Sequence, residues 1–269
     1  MIPVAMTIAG SDPSGGAGLQ ADLKTFHQHG IYGTSIVTLL TVQNTQTVAA
    51  VEVLPPDFVA AQLDAVVNDL PPLAAKTGAL GNAAIIETIA DRAATFSFPL
   101  VVDPVMVSKH GARLIDANAM WALRRKLLPN AFLVTPNLPE AAQLAEMEVT
   151  DLRSMEKAAV AISQLGVKNV LVKGGHLEGD PVDLLWSAGD ARCLPAERVN
   201  TKHTHGTGCV LSAAITARLA QGEELVAAVK GAKEFVTVAI QSNPGLGKGY
   251  GPVNFHAAVA KVNPRSRSE

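Results

Sequence analysis

Five short apolar runs, VAMTIAG (4–10), SIVTLL (35–40), PLVVDPV (99–105), AFLVTPN (131–137) and VLVKGG (170–175), constrain this chain most, because none alternates apolar with polar residues. A strand with one wet face alternates with period two, whereas a strand covered on both faces does not. Between the runs lie helical stretches: GLQADLKTFHQHG, PDFVAAQLDAVVNDL, NAAIIETIADRAATF, NAMWALRRKLL and SMEKAAVAISQLG. Strand and helix in alternation require βαβ crossovers. The expected fold is therefore α/β, a mostly parallel sheet with helices on both faces and ligands beyond the carboxyl ends of the strands. TVAAVEVLP (47–55) and VDLLWSAGDARCLPA (182–196) alternate more and carry a turn, so they are expected as edge or antiparallel strands.

No linker rich in Pro, Gly or Ser interrupts the 269 residues, which predicts one domain over 1–262 and a frayed polar tail over 263–269. With 48% hydrophobic and 17% charged residues, the chain can build a sizeable core and is not disordered. Its net charge of -2, without runs of like charge, fits a small-molecule ligand rather than nucleic acid or a membrane surface. Cys193 and Cys209 are too few for a disulfide framework and lack metal-site spacing. The opening MIPVAMTIAGSDPSGG has no basic flank, and a cytoplasmic protein is expected.

Each cluster with chemical potential follows a strand. GSDPSGGAGLQADLKTF joins the first run to the first helix through Gly15, Gly16 and Gly18, which either bring backbone close to a ligand or punctuate a turn. It matches neither the dinucleotide fingerprint nor the P-loop. Asp103 ends a buried run, where a carboxylate either holds Mg²⁺ or caps a turn ahead of Pro104. Asn137 and Glu140 have the spacing of a capping box; the other role for Glu140 is toward Mg²⁺-bound water and phosphate oxygens. Lys173 closes an apolar strand and either snorkels to water or neutralises phosphate. Gly206, Thr207 and Gly208 lead into a long apolar-faced helix, an anion-binding turn whose free N–H groups and dipole face negative charge. Cys209, next in line, is either an inert buried thiol or a reactive one.

Taken in order, TIAGSDPSGGAGLQADLKTF, TVQNT, KTGALG, VVDPVMVSKHG, TPNLPEA, VLVKGGHLEG and NTKHTHGTGC resemble the hydroxymethylpyrimidine and phosphomethylpyrimidine kinases of thiamine biosynthesis, which have the three-layer ribokinase-like fold. The resemblance runs from about residue 4 to the GKGYGPVNF stretch. It implies an ATP- and Mg²⁺-dependent homodimeric kinase. Its substrate would be 4-amino-5-hydroxymethyl-2-methylpyrimidine, phosphorylated first to the monophosphate and then to the diphosphate. The resemblance sets the pyrimidine against Gly10, Ala17, Asp22 and Gln43, with Val105 on the apolar face of the ring. An amide such as that of Gln43 can accept from the 4-amino group and donate to a ring nitrogen.

The same resemblance puts Asp103 and Glu140 around metal and phosphates, Lys173 with Thr207 and Gly208 at the nucleotide, and residues 206–209 at the reacting phosphoryl group. MVSKHGARLI (106–115) is expected as a lid, whose Lys109, His110 and Arg113 would clamp phosphate by charge. Two positions depart from many relatives: Ala79 stands in place of methionine and His203 in place of asparagine. Pyridoxal kinases of the same fold share the glycine loop and the THG-x-GC ending but lack QNT, and form the second reading. A non-catalytic ligand-binding protein is the third.

Most sugar kinases of this fold carry an aspartate base where this chain has Cys209. Phosphoryl transfer has a loose transition state, so the attacking hydroxyl loses its proton late and needs little more than orientation. A helix N-terminus lowers a thiol pKa from its usual value of about 8.5, which predicts an accessible thiolate near neutral pH. The second acceptor, a phosphate monoester with a pKa near ~6, is already anionic. A fixed carboxylate would repel it by about 1 to 4 kcal/mol at roughly 4 Å. A neutral thiol would not.

Overall fold

The computed structural model describes residues 2–107, 111 and 115–260. Its first half runs β1 (Val4–Ser11), α1 (Gly18–Gln28), β2 (Tyr32–Gln43), β3 (Val48–Val53), α2 (Pro56–Asp69), β4 (Ala74–Thr77), α3 (Ala83–Ala93) and β5 (Leu100–Val102). It continues with α4 (Ala117–Ala122), β6 (Leu133–Val134), α5 (Leu138–Ala145), α6 (Leu152–Ser163), β7 (Asn169–Val172), β8 (Val182–Ser187), β9 (Asp190–Pro195), α7 (Thr207–Ala220) and α8 (Leu225–Gln241). The strands form a nine-stranded sheet in the order β3-β2-β1-β4-β5-β6-β7-β8-β9.

From β2 to β7 every neighbouring pair is parallel. Strand β3 turns back antiparallel on β2, and β8 and β9 add an antiparallel hairpin beyond β7, as their alternation predicts. The chain moves from β1 outward to β2, then crosses to β4 on the other side of β1. At such a reversal the loops part, which opens a crevice at the carboxyl ends of the strands.

Adjacent strand residues explain the missing alternation. Val102, Val134 and Val172 pack into a core with α2 to α6, while their predecessors Val101, Leu133 and Leu171 pack into a second core with α7 and α8. Both faces are dry, so both parities are apolar. Each such side chain contributes about 1.5–3 kcal/mol relative to exposure. The helix expected over 118–128 is regular only across α4; Leu123–Leu127 forms a π-helical turn and Leu128–Asn130 a 3₁₀ turn. Pro129 lies in that last turn, where a missing N–H ends the helical ladder. No helix among the described residues is long and apolar enough to cross a membrane. Lys109, His110 and Arg113 of the expected lid, and the tail 263–269, lie outside the described residues.

Candidate active site

A cleft of about 900 Å³ opens at the sheet's reversal point, and Gly10, Ala17, Gln43, Ala79, Val105, Asp103, Glu140, Lys173, Gly206, Thr207, Gly208 and Cys209 all line it. Its charged end is made by neighbouring strands. Asp103 follows β5, the α5 start follows β6, and Lys173 follows β7, so three successive strand ends meet. Lys173 Nζ lies 3.1 Å from Asp103 Oδ1 and 4.0 Å from Glu140 Oε2. Asp103 is 2% exposed and also has Ser212 Oγ within 3.3 Å of Oδ2. Lys173 does not snorkel: paired with two acids, its ammonium is held well above the usual lysine range, against the desolvation that burial imposes.

Glu140 forms the cap that its spacing predicts. Asn137 Oδ1 accepts the Glu140 N–H at 2.9 Å, and Glu140 Oε2 accepts the Asn137 N–H at 2.8 Å, a complete capping box. The same carboxyl faces the cleft beside Lys173. Burial, with Asp103 adding to it and Lys173 opposing it, pushes its pKa up to about 7. The folded protein therefore holds this proton more tightly than the unfolded chain, whose carboxyl has the ordinary value of 4.5. The associated stability is fully present below pH 4.5 and is lost as pH rises through about 7, a change of up to about 3 kcal/mol. In the nucleotide-free protein, Glu140→Gln should flatten this slope in urea midpoints measured across that range. An unchanged slope would show that Glu140 keeps an ordinary pKa.

The two carboxylates fit Mg²⁺ in the way this ion is usually held, through one or two acids together with phosphate oxygens and water. Among the described residues no group of three or more His, Cys, Asp or Glu could form an all-protein cage. A divalent cation at Asp103 and Glu140 would supply the positive charge that a buried Glu140 needs to ionise.

Opposite these acids stands the start of α7. Gly206 caps it at φ +77°, and a Cβ there would come within 1.9 Å of Gly16 O, so only glycine fits where the two glycine turns touch. A Cβ on Gly208 would lie 3.2 Å from Lys173 Nζ and 3.8 Å from Asp103 Oδ2, which shows how closely this helix end approaches the charged cluster. The Thr207 N–H donates to Thr204 O at 3.3 Å, whereas those of Gly208 and Cys209, in the first helical turn, have no intrahelical acceptor and are available to an anion.

The first glycine loop is different. Asp12 folds it around its own carboxylate, accepting from the N–H groups of Ser14 and Ala17 at 2.9 Å each and from Ser14 Oγ at 2.7 Å. Those two amides are used internally. Sequence reasoning passed over Asp12, although an Asp two residues before a Ser in a glycine-rich turn is an Asx-turn signal.

Asp22 requires a correction. Expected against the pyrimidine, it is instead fully buried beneath the cleft, with Lys76 Nζ at 2.9 and 3.0 Å and Thr7 Oγ1 at 2.6 Å. Packing of α1 on β1 and β2 turns this carboxyl inward. Lys76, its wholly buried partner, was not singled out; a lysine inside the apolar AAKT run was the available signal.

Cys209 requires another. Burial, reinforced by Asp103 and Asp22, outweighs Lys76 and the Gly18 N–H and pushes the thiol up to about 11. At neutral pH it is protonated, not the expected thiolate. The helix N-terminus is present, but a desolvated sulfur among carboxylates loses more than the dipole returns.

Three comparisons bear on this site. A family model described as phosphomethylpyrimidine kinase matches residues 12–254. A hydroxymethylpyrimidine/phosphomethylpyrimidine kinase of Synechococcus elongatus is 48% identical over 94% of this chain and 97% of its own. The thiamine biosynthesis bifunctional protein ThiED of Geobacter sulfurreducens is 47% identical over 97% of this chain, which spans 54% of that longer protein. Among solved structures, the ADP complex of Bacillus subtilis pyridoxal kinase superposes with a TM-score of 0.89 at 39% identity, covering 96% of this chain and 98% of that one.

Proposed function

The chain belongs to the phosphomethylpyrimidine kinase family, and on that premise we propose that it phosphorylates 4-amino-5-hydroxymethyl-2-methylpyrimidine to the monophosphate and then to the diphosphate in thiamine biosynthesis. The observation that carries this reading is that Lys173, the α7 N-terminus and Cys209 line one cleft together with Gln43. The phosphate donor is ATP, with Mg²⁺ shielding charge on its oxygens when bound. Asp103 and Glu140 would hold the ion, and Lys173 with the Gly208 and Cys209 N–H groups would meet the negative charge of the transferring group. The enzyme works in the cytoplasm. Two copies associate as a homodimer, for which the exposed apolar Leu40 and Val42 on one face of β2 offer a surface.

In this reading Gly10, Ala17, Gln43 and Val105 bind the pyrimidine and Cys209 stands at the acceptor. A protonated thiol orients the hydroxyl in the first reaction and adds no negative charge beside the phosphate in the second. Cys209→Ala should mainly slow phosphorylation of the alcohol. Cys209→Asp should mainly slow phosphorylation of the monophosphate, by tenfold or more, since like charges about 4 Å apart cost about 1 to 4 kcal/mol at moderate dielectric. Equal losses on both substrates in both variants would reject this role.

The direct test is mass spectrometry of products after incubation with ATP, Mg²⁺ and, separately, hydroxymethylpyrimidine, its monophosphate and pyridoxal. A diphosphate from both pyrimidines supports the proposal. Because of the structural likeness to pyridoxal kinase, the opposite outcome is informative: phosphorylated pyridoxal with unreacted pyrimidines would make this a vitamin B6 kinase.

A further inference from the structure

Gln43 is the polar side chain at the proposed pyrimidine end, and the structure surrounds it with two hydrogen-bonding groups already committed elsewhere. On one side is His205, 3% exposed, whose Nε2 lies 2.8 Å from Asp12 Oδ2. The Asp12 carboxylate is itself 3% exposed and accepts from the Ser14 and Ala17 N–H groups, an arrangement that favours its ionised form. Burial opposes that charge, yet His205 and Ser14 together hold its pKa below the usual aspartate value. An ionised carboxylate has no proton to give, so His205 Nε2 must carry the hydrogen between them. Gln43 Nε2 lies 3.1 Å from the same His205 Nε2.

With the amide nitrogen there, two N–H donors would face each other. The amide oxygen at that position removes the conflict by sharing, as the second and longer acceptor, the one Nε2 hydrogen that goes to Asp12, since amide nitrogen and oxygen are distinguished only by their partners. Thr41 gives the same answer independently. Its hydroxyl hydrogen points to Ser11 O at 2.9 Å, whereas the Gln43 amide terminus is 3.4 Å away. Thr41 Oγ1 is then an acceptor toward Gln43 and needs the amide NH₂ group on its side.

We propose that Asp12 and His205 act as positioning residues that, with Thr41, lock the Gln43 amide with Oε1 toward His205 and Nε2 toward Thr41, and so make the pocket specific for a 4-aminopyrimidine. The specificity part rests on the proposed function. So locked, Gln43 has one N–H and one oxygen lone pair left for a ligand. A 4-aminopyrimidine presents a ring-nitrogen acceptor beside an amino donor. Its 4-oxo analogue presents the reverse pattern, a ring N–H beside a carbonyl. Gln43 could read that pattern only by turning over, which would return its NH₂ group to the His205 N–H. A free glutamine would read both; a locked one rejects the second.

Two measurements test this. Nitrogen-15 NMR of the histidine-labelled full-length protein reads the His205 proton directly: hydrogen on Nε2 is expected, and a bare Nε2 overturns the lock whatever the substrate. The second is the ratio of kcat/KM for hydroxymethylpyrimidine to that for its 4-oxo analogue, in wild type, His205→Asn and Thr41→Val. Because Thr41→Val touches no loop amide, it keeps the test decisive if the His205 variant folds poorly. Either substitution should lower the ratio by at least about tenfold, mostly through KM, because an amide free to turn no longer leaves a mismatched partner. Losses on both substrates with an unchanged ratio in both variants would overturn the proposal. Wild type that phosphorylates neither pyrimidine would overturn the functional reading and the specificity with it, while the NMR result would still judge the lock.

Discussion

Lys173→Met is expected to lower kcat for hydroxymethylpyrimidine by about 10²- to 10³-fold, the usual effect of deleting one preorganised group that meets developing charge. The expectation rests on position: Nζ sits between Asp103 and Glu140 and beside Gly208, where the α7 N–H groups face the cleft. Gln43, proposed to bind the pyrimidine, touches His205 and Thr41, so KM for the pyrimidine should move by no more than about threefold when the lost interaction belongs to the transition state. Lys173 is also the ion-pair partner of Asp103, whose carboxyl is 2% exposed, and a thermal melt is needed beside the kinetics. A variant that melts lower but retains kcat would show that Lys173 serves only as an internal counter-ion.

Lys76→Met is expected to destabilise the fold by about 3–5 kcal/mol, the usual cost of leaving one member of a buried ion pair alone. Lys76 and Asp22 are both 0% exposed and lie within 2.9 Å of each other. Burial pushes the Asp22 carboxyl up, with Lys76 and the Thr7 hydroxyl resisting. For Lys76, burial works against the charge, but Asp22, Cys209 and Asp103 together raise its pKa above the ordinary value. Without the ammonium, Asp22 must stay charged in an apolar place or take up a proton. Lys76→Met combined with Asp22→Asn should therefore lose clearly less stability than Lys76→Met alone in urea unfolding. Equal losses would mean that the cavity, not the stranded charge, dominates.

The extent to which the sequence was legible differs from one residue to another for physical reasons. Gly206 and Lys173 stand at strand and helix ends, where local spacing already suggests a task. Glu140 was legible as a cap, and the structure adds Lys173 at 4.0 Å as its neighbour. Asp22 was misplaced because its neighbours are glycine-loop residues that do line the cleft, and nothing local shows that one turn of α1 later the side chain turns in between helix and sheet. His205 and Asp12 are 193 residues apart, and their contact leaves no mark in the spacing of either segment.

The sequence by itself determined the layered α/β architecture, the antiparallel edges and the segments from which the cleft is built, because these follow from period, turn chemistry and helix termini, all of which act over a few residues. Tertiary structure alone decided which charges meet. It buried Lys76 against Asp22, set Lys173 between two acids, raised the Cys209 thiol to about 11 and placed His205 between Asp12 and Gln43. Desolvation and Coulomb interaction depend on distance through space and on the exclusion of water, and both are fixed only once strands distant in the chain lie side by side.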